Sequence, residues 1–220
     1  MMLQKVQAVA HTGVPRAVVF DFGKVISFPP EPGVMAELAS IAGIEVKTMD
    51  TLVWAYRGEY DRGTLSGKDY YRTLLTQGGR EAVAQDDAAL ERLIRIDLAS
   101  WKRVNPDTVA LMEDIKAGGY ALGILSNMPQ DFLVWARESL PVFRLPDVGI
   151  FSCEIGSIKP EIAMYETLLH ALSCKPEEVV FFDDIPVNVE AACSVGIRGL
   201  VWQDPQSSRK VLQGLGLCIP

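Results

Sequence analysis

The chain has 220 residues, 49% hydrophobic and 22% charged, with a formal net charge of −7. That is the composition of an ordinary globular protein able to bury one sizeable core, and its acidic balance argues against nucleic acid and anionic membranes, which are held through lysine and arginine. Cys153, Cys174, Cys193 and Cys218 are widely spaced and form no C-x-x-C pair, so reduced thiols are expected in place of a disulfide framework.

Residues 1–16 contain no continuous apolar segment of signal-peptide quality and nothing downstream approaches a membrane span, so a flexible leader and a cytoplasmic location are expected. Ala17 to Asp21 reads as a buried strand, and Pro29, Pro30, Pro32 and Gly33 forbid a long helix directly after it. From 34 to 105 the apolar residues take helical spacing, as in Met35-Leu38-Ile41, Leu52-Val53-Tyr56, Tyr70-Leu74 and Leu90-Leu93-Ile96. Ser66 to Asp69 has the spacing of a capping box. The segment reads as a small helical bundle inserted after the first strand.

Beyond it the pattern alternates strand and helix. Asn105-Pro106-Asp107 opens a helix that Gly118 and Gly119 end. Strands are expected at Tyr120 to Ser126, Val148 to Ser152, Val179 to Asp183 and Gly199 to Trp202. Helices are expected at Pro129 to Leu140, from Pro160, at Val187 to Val195 and near Ser208. This rhythm predicts an α/β fold, a three-layer Rossmann-like parallel sheet formed by 17–33 and 106–220, with residues 34–105 as a helical insertion.

Polar groups follow the apolar runs at three of these strands: Asp21 after Val18-Val19-Phe20, Ser126 after Ile124-Leu125, and Asp183-Asp184 after Val179-Val180-Phe181-Phe182. The carboxyl ends of parallel strands are where open α/β sheets bind ligands. Alone, each has a plain structural alternative: a capping Asp, a Ser-Asn turn, a Lys159-Pro160 helix start, or a helix-capping acid. Two adjacent carboxylates, however, repel unless a cation or hydrogen bonds relieve them.

In this order the four motifs resemble the haloacid dehalogenase superfamily, whose signature is D-x-D-x-[TV], a Ser or Thr, a Lys and a pair of acids. The resemblance covers Ala17 to Trp202, and the sequence is most similar to the branch of sugar-phosphate phosphatases that includes the amino-terminal domain of soluble epoxide hydrolase. It implies a magnesium-dependent phosphatase acting on a small phosphate monoester, a sugar phosphate or related metabolite, with residues 34–105 as a helical cap that closes over the site. Asp21 would be the nucleophile forming an aspartyl phosphate, assisted by Ser126 and Lys159. Ser126, the amide of Asn127 and Lys159 would hold the phosphate, and Asp21, the carbonyl of Gly23, Asp183 and Asp184 would hold Mg2+. Asn188 would anchor the acidic loop.

Gly23 departs from the phosphatase pattern, which usually has an acid-base Asp there. Its loss costs a general acid worth about 10²–10⁴-fold in rate. Two alternatives therefore stand beside the phosphatase: an L-2-haloacid dehalogenase-like hydrolase, and a weak or non-catalytic binder of phosphorylated ligands. Trp54, Tyr56, Arg57, Tyr60 and Arg62 of the insertion are candidates for substrate specificity, although the aromatics also fit a helix interface and the arginines also fit surface pairs with Glu59 and Asp61. Lys24 is expected to stay solvated, and His11 and His170 take no catalytic role. The expected partner is a small phosphorylated metabolite, neither nucleic acid nor membrane, bound by a monomer or homodimer.

Overall fold

A computed structural model describes residues 13–220; most of the expected leader, and His11, lie outside the described residues. Strand β1 (Ala17–Phe20) runs into a tight π-type turn at Phe22–Ile26, and a helical unit follows. This unit comprises α1 (Val34–Ala42), α2 (Val46–Arg62), α3 (Gly67–Gln77), α4 (Glu81–Ala84) and α5 (Asp87–Ser100). The chain then forms α6 (Pro106–Ala117), β2 (Ala121–Ser126), α7 (Gln130–Ser139), β3 (Val148–Phe151) and α8 (Ser152–Ile155). It ends with α9 (Ile162–Leu172), β4 (Val179–Asp183), α10 (Pro186–Ser194), β5 (Arg198–Val201) and α11 (Pro205–Gly214).

The five strands form one parallel sheet in the order β3-β2-β1-β4-β5. Successive residues of a strand face opposite sides, so a strand covered on both faces must be apolar throughout. Here Val18 and Phe20 pack with Leu111, Ile115, Phe132 and Leu133 of α6 and α7, whereas Ala17 and Val19 pack with Met164, Tyr165 and Ala192 of α9 and α10. Hence the three layers. The helix expected from Pro160 starts instead at Ile162. The turn Lys159-Pro160-Glu161 ahead of it is held by Glu161, whose amide donates to Ile158 O at 2.8 Å and whose carboxylate accepts from Ser157 at 2.5 Å.

The helical unit has a core of its own built from Leu38, Met49, Val53, Tyr60, Tyr70, Leu74 and Leu90 among others. Helix α2 ends at Gly63, whose φ of +81° suits glycine and whose Cβ, if present, would lie 3.0 Å from Cys153 O. That close approach seats α2 on α8. Ser152 Oγ donates to Asp61 O at 2.5 Å and accepts from the Met128 amide at 2.9 Å, and Arg62 pairs with Glu161 at 2.6 Å. These bonds fix the helical unit over the carboxyl edge of the sheet. No described helix is long and apolar enough to cross a membrane.

Candidate active site

The strand order explains why distant residues meet. The chain leaves β1 toward β2 on one side and later returns to place β4 on the other, so the carboxyl ends of β2, β1 and β4 lie side by side at the switch point of the sheet. Phe20 registers with Ile124 and with Phe182. The next residue, Asp21, donates its amide to Phe182 O at 2.9 Å and thus stands beside Asp183. Ser126 closes β2 and is 2% exposed.

Lys159 lies between the two acids. Its ammonium is 2.8 Å from Asp21 Oδ1 and 2.6 Å from Asp183 Oδ2, and its side chain is 1% exposed. The segment carrying it is held by Asn127: the Lys159 amide donates to Asn127 Oδ1 at 2.7 Å, and Asn127 Nδ2 donates to Lys159 O at 3.0 Å. The Asn127 side chain is therefore a positioning group, a role the turn-like Ser-Asn pair did not announce.

Asp183 is tied from several directions. It accepts from the Ile185 amide at 2.8 Å and from Asn188 Nδ2 at 3.1 Å to both carboxylate oxygens, in addition to Lys159. Asn188 thus anchors the acidic loop. Asp184 is half-buried and meets Lys24 at 3.4 Å, so Lys24 is paired and not simply solvated. Lys24 reaches it from a backbone with φ of +59°, a left-handed conformation that is uncommon outside glycine and that clusters at functional sites.

One buried ammonium serves two buried carboxylates, and the surplus negative charge is felt at Asp21. Burial pushes its carboxyl from 3.8 up to about 6, with the charge of Asp183 acting the same way against the pull of Lys159 and Ser126. Burial works against the Lys159 ammonium, but Asp21 and Asp183 together raise it above the ordinary lysine range. The ammonium therefore stays charged.

Carboxylate oxygens of Asp21, Asp183 and Asp184 can all lie within 4.8 Å of one another. Asp21 and Asp184 open on a cavity of about 260 Å³ between the sheet edge and the helical unit, while Asp183 lies fully buried behind them. Helix α2 faces it with Trp54, Arg57, Gly58 and Asp61, one stripe at i, i+3, i+4 and i+7. Tyr56 and Tyr60 do not line it. They lie on the stripe with Met49 and Val53, in or against the core of the helical unit, and Tyr60 also donates to Asp131 at 3.2 Å. Arg62 also points elsewhere, to Glu161 and Glu59.

Arg57, by contrast, reaches the cavity already occupied. Its Nε is 2.8 Å from Asp61 and its Nη1 3.2 Å from Asp97, all three side chains being nearly buried. Burial pushes the Asp61 carboxyl upward, and Arg57 opposes that shift. Leu98, Trp101, Met128, Phe132 and Ile185 complete the wall and were not singled out in the sequence.

A family model for haloacid dehalogenase-like hydrolases matches residues 15–196. The chain belongs to that family. It is 28% identical to a sesquiterpene phosphatase of Aspergillus oryzae over 92% of this chain and 97% of that one. It is 39% identical to mouse bifunctional epoxide hydrolase 2 over 90% of this chain and 38% of that protein. Against a phosphatase of Mycobacterium tuberculosis the identity is 32%, over 58% of this chain and 59% of the other. Acyl-CoA dehydrogenase family member 10 of mouse is 29% identical over 91% of this chain, which spans only 19% of that protein.

Members of the family share the architecture well beyond sequence similarity. An enzyme of Bacteroides thetaiotaomicron, solved with magnesium and inorganic phosphate, superposes with a TM-score of 0.68 at 16% identity, covering 87% of this chain and 94% of that one. An L-2-haloacid dehalogenase gives 0.60 at 24% identity, covering 83% and 82%. In this chain the donor set suits a hard divalent cation. Three carboxylates against one buried ammonium leave negative charge to neutralise, and all the side-chain donors are oxygens. With Asp183 already accepting from three groups, Asp184 and Asp21 are the acids freest to turn to a cation.

Proposed function

We propose that the protein is a magnesium-dependent phosphatase of a small phosphate monoester, working through an aspartyl phosphate on Asp21. The observation that supports this best is the charge arrangement at the sheet edge, where one ammonium, Lys159, bridges Asp21 and Asp183, Lys24 matches Asp184, and three acids against two cations leave an anionic surplus. A nucleophile of this kind must approach a phosphate dianion, so the repulsion has to be relieved locally.

Lys159 and the Phe22 amide, at 2.8 and 2.7 Å, both hold Oδ1 of Asp21. Oδ2 is thereby left to attack phosphorus. Ser126 and the amide of Asn127 donate to the phosphoryl oxygens, and Lys159 spreads positive charge over nucleophile and phosphate. Asp21, the carbonyl of Gly23, Asp183 and Asp184 would hold Mg2+, which when bound neutralises phosphoryl oxygens as a Lewis acid. The helical unit acts as the cap that excludes water from the cavity.

The dehalogenase reading is the weaker one. A haloacid brings its own carboxylate to a site that already holds three acids, and each cation of the wall is already engaged: Arg57 by Asp61 and Asp97, Lys24 by Asp184, and Lys159 by Asp21 and Asp183. The test is a screen of sugar phosphates, other metabolite phosphates and aryl phosphates with and without magnesium, with Asp21→Asn as control. Phosphate release that needs both magnesium and Asp21 is expected. Activity that survives in the Asn variant, or metal-independent halide release from a 2-haloacid, would overturn the assignment.

A further inference from the structure

We infer that the alcohol half of the substrate is an uncharged aromatic one, a phenol-type leaving group that departs without being protonated by the enzyme. The inference rests on the phosphatase reading above and narrows its substrate class. Three independent features of the cavity carry it.

The first is the wall. Phe22, Trp54, Leu98, Trp101, Met128 and Phe132 surround the space next to the nucleophile, a surface that rewards a flat apolar group and offers little to a ring of hydroxyls. The second is charge. Arg57 would be a natural grip for a second anion, but Asp61 and Asp97 hold it at 2.8 and 3.2 Å, and the three together carry a net negative charge; Lys24, also in the wall, is matched by Asp184 at 3.4 Å. A leaving group bearing its own phosphate or carboxylate is therefore disfavoured.

The third feature ties recognition to chemistry at Gly23. A Cβ built there would lie 3.3 Å from Cζ3 of Trp101, and its three nearest neighbours are all atoms of that indole ring. The ring thus stands against the position from which an acid-base side chain would extend. Aromatic surface takes the place of a general acid. An alkoxide, whose conjugate acid is near that of water at about 16, leaves poorly without a proton. A phenoxide, whose conjugate acid is near 10 as in tyrosine, needs no such help.

The steps balance without an enzyme acid. Asp21 Oδ2 forms a bond to phosphorus as the bond from phosphorus to the aryl oxygen breaks, and the electron pair leaves as phenoxide, which takes its proton from water. A second water then displaces the Asp21 carboxylate, and its protons leave on the released dihydrogen phosphate.

The experiment measures kcat and KM of the wild-type enzyme with magnesium on substituted phenyl phosphates, 1-naphthyl phosphate, benzyl phosphate, a hexose phosphate and glycerol phosphate. Benzyl phosphate separates the two halves of the claim, because it presents an aromatic ring on an alkoxide. Expected are a kcat/KM that falls steeply as the phenol becomes less acidic, because kcat/KM reports the step in which the phenoxide leaves, and benzyl phosphate that competes with a Ki near that of phenyl phosphate but has a kcat/KM at least 100-fold lower. Trp101→Leu should raise KM for 1-naphthyl phosphate at least 10-fold while changing glycerol phosphate little. A flat dependence on phenol acidity, or a hexose phosphate with a kcat/KM at or above that of 1-naphthyl phosphate, overturns the inference and leaves the phosphatase standing. If no phosphate is cleaved at all, the phosphatase reading falls first.

Discussion

In the metal-free protein, replacing Asp21, the proposed nucleophile, should stabilise the fold. Asp21 is buried beside Asp183 and shares one ammonium with it, and burial raises its carboxyl from 3.8 to about 6. A folded-state value above the unfolded one favours the neutral acid in the native state. The associated stability is fully present below pH 4 and is lost as the pH rises through 6. At about 1.36 kcal/mol per unit, a shift of about two units costs roughly 3 kcal/mol by pH 8. Asparagine mimics the neutral acid at every pH and keeps an oxygen for the Phe22 amide and Lys159. Asp21→Asn should therefore be more stable than wild type by about 2–3 kcal/mol at pH 8, a rise of about 4–12 °C in Tm for a chain of this size. Urea unfolding followed by tryptophan fluorescence in chelator would read it, and the two proteins should converge near pH 4. Magnesium should stabilise wild type at pH 8 and narrow the difference. A wild type as stable as the variant at pH 8 in chelator would show that the pair with Lys159 outweighs the burial of Asp21 and would refute a charge surplus at the sheet edge.

Two further substitutions test the supports of the site. Asn127→Ala removes both hydrogen bonds that fix the Lys159 backbone; it should cost about 1–3 kcal/mol of stability and lower kcat about 10- to 100-fold with KM nearly unchanged, as checked by steady-state kinetics beside urea unfolding. Arg57→Met strands Asp61 and Asp97 without a cation and should destabilise by about 3–5 kcal/mol at neutral pH. Adding Asp61→Asn and Asp97→Asn should recover most of that loss in the same unfolding assay.

What could be read from sequence divides along a physical line. A parallel strand buried on both faces has little chemical latitude, so Val18-Val19-Phe20 and Val179-Val180-Phe181-Phe182 declare both their structure and the polar residue that ends them. Asp21 and Asp183-Asp184 were legible for that reason, and their adjacency follows once β1 and β4 are neighbours. The cavity wall was less legible, because its residues are apolar and read as core wherever they fall. Trp101 lies 78 positions from the Gly23 it packs against, and nothing local marks it as facing a ligand.

Helix α2 shows that helical phase is a sharper signal than chemical type, and that the helix-interface alternative holds for Tyr56 and Tyr60. Choosing Trp54, Tyr56, Arg57 and Tyr60 by chemical type mixes two faces, since residues two apart on a helix point far from each other. The helical period separates them: Trp54, Arg57, Gly58 and Asp61 line the cavity, while Met49, Val53, Tyr56 and Tyr60 belong to the packed stripe. Phase alone would have found Asp61 and set aside the two tyrosines. The pair of Arg57 with Asp61, one turn on, is one of the pairings expected for the arginines, and the structure places it in the cavity wall, nearly buried. An arginine neutralised by its own helix cannot be counted as a free anion receptor. The same reasoning holds for the whole site, because the sign of a pocket is set by the charges left after internal pairing, and here that remainder is negative at the helical wall and negative at the sheet edge.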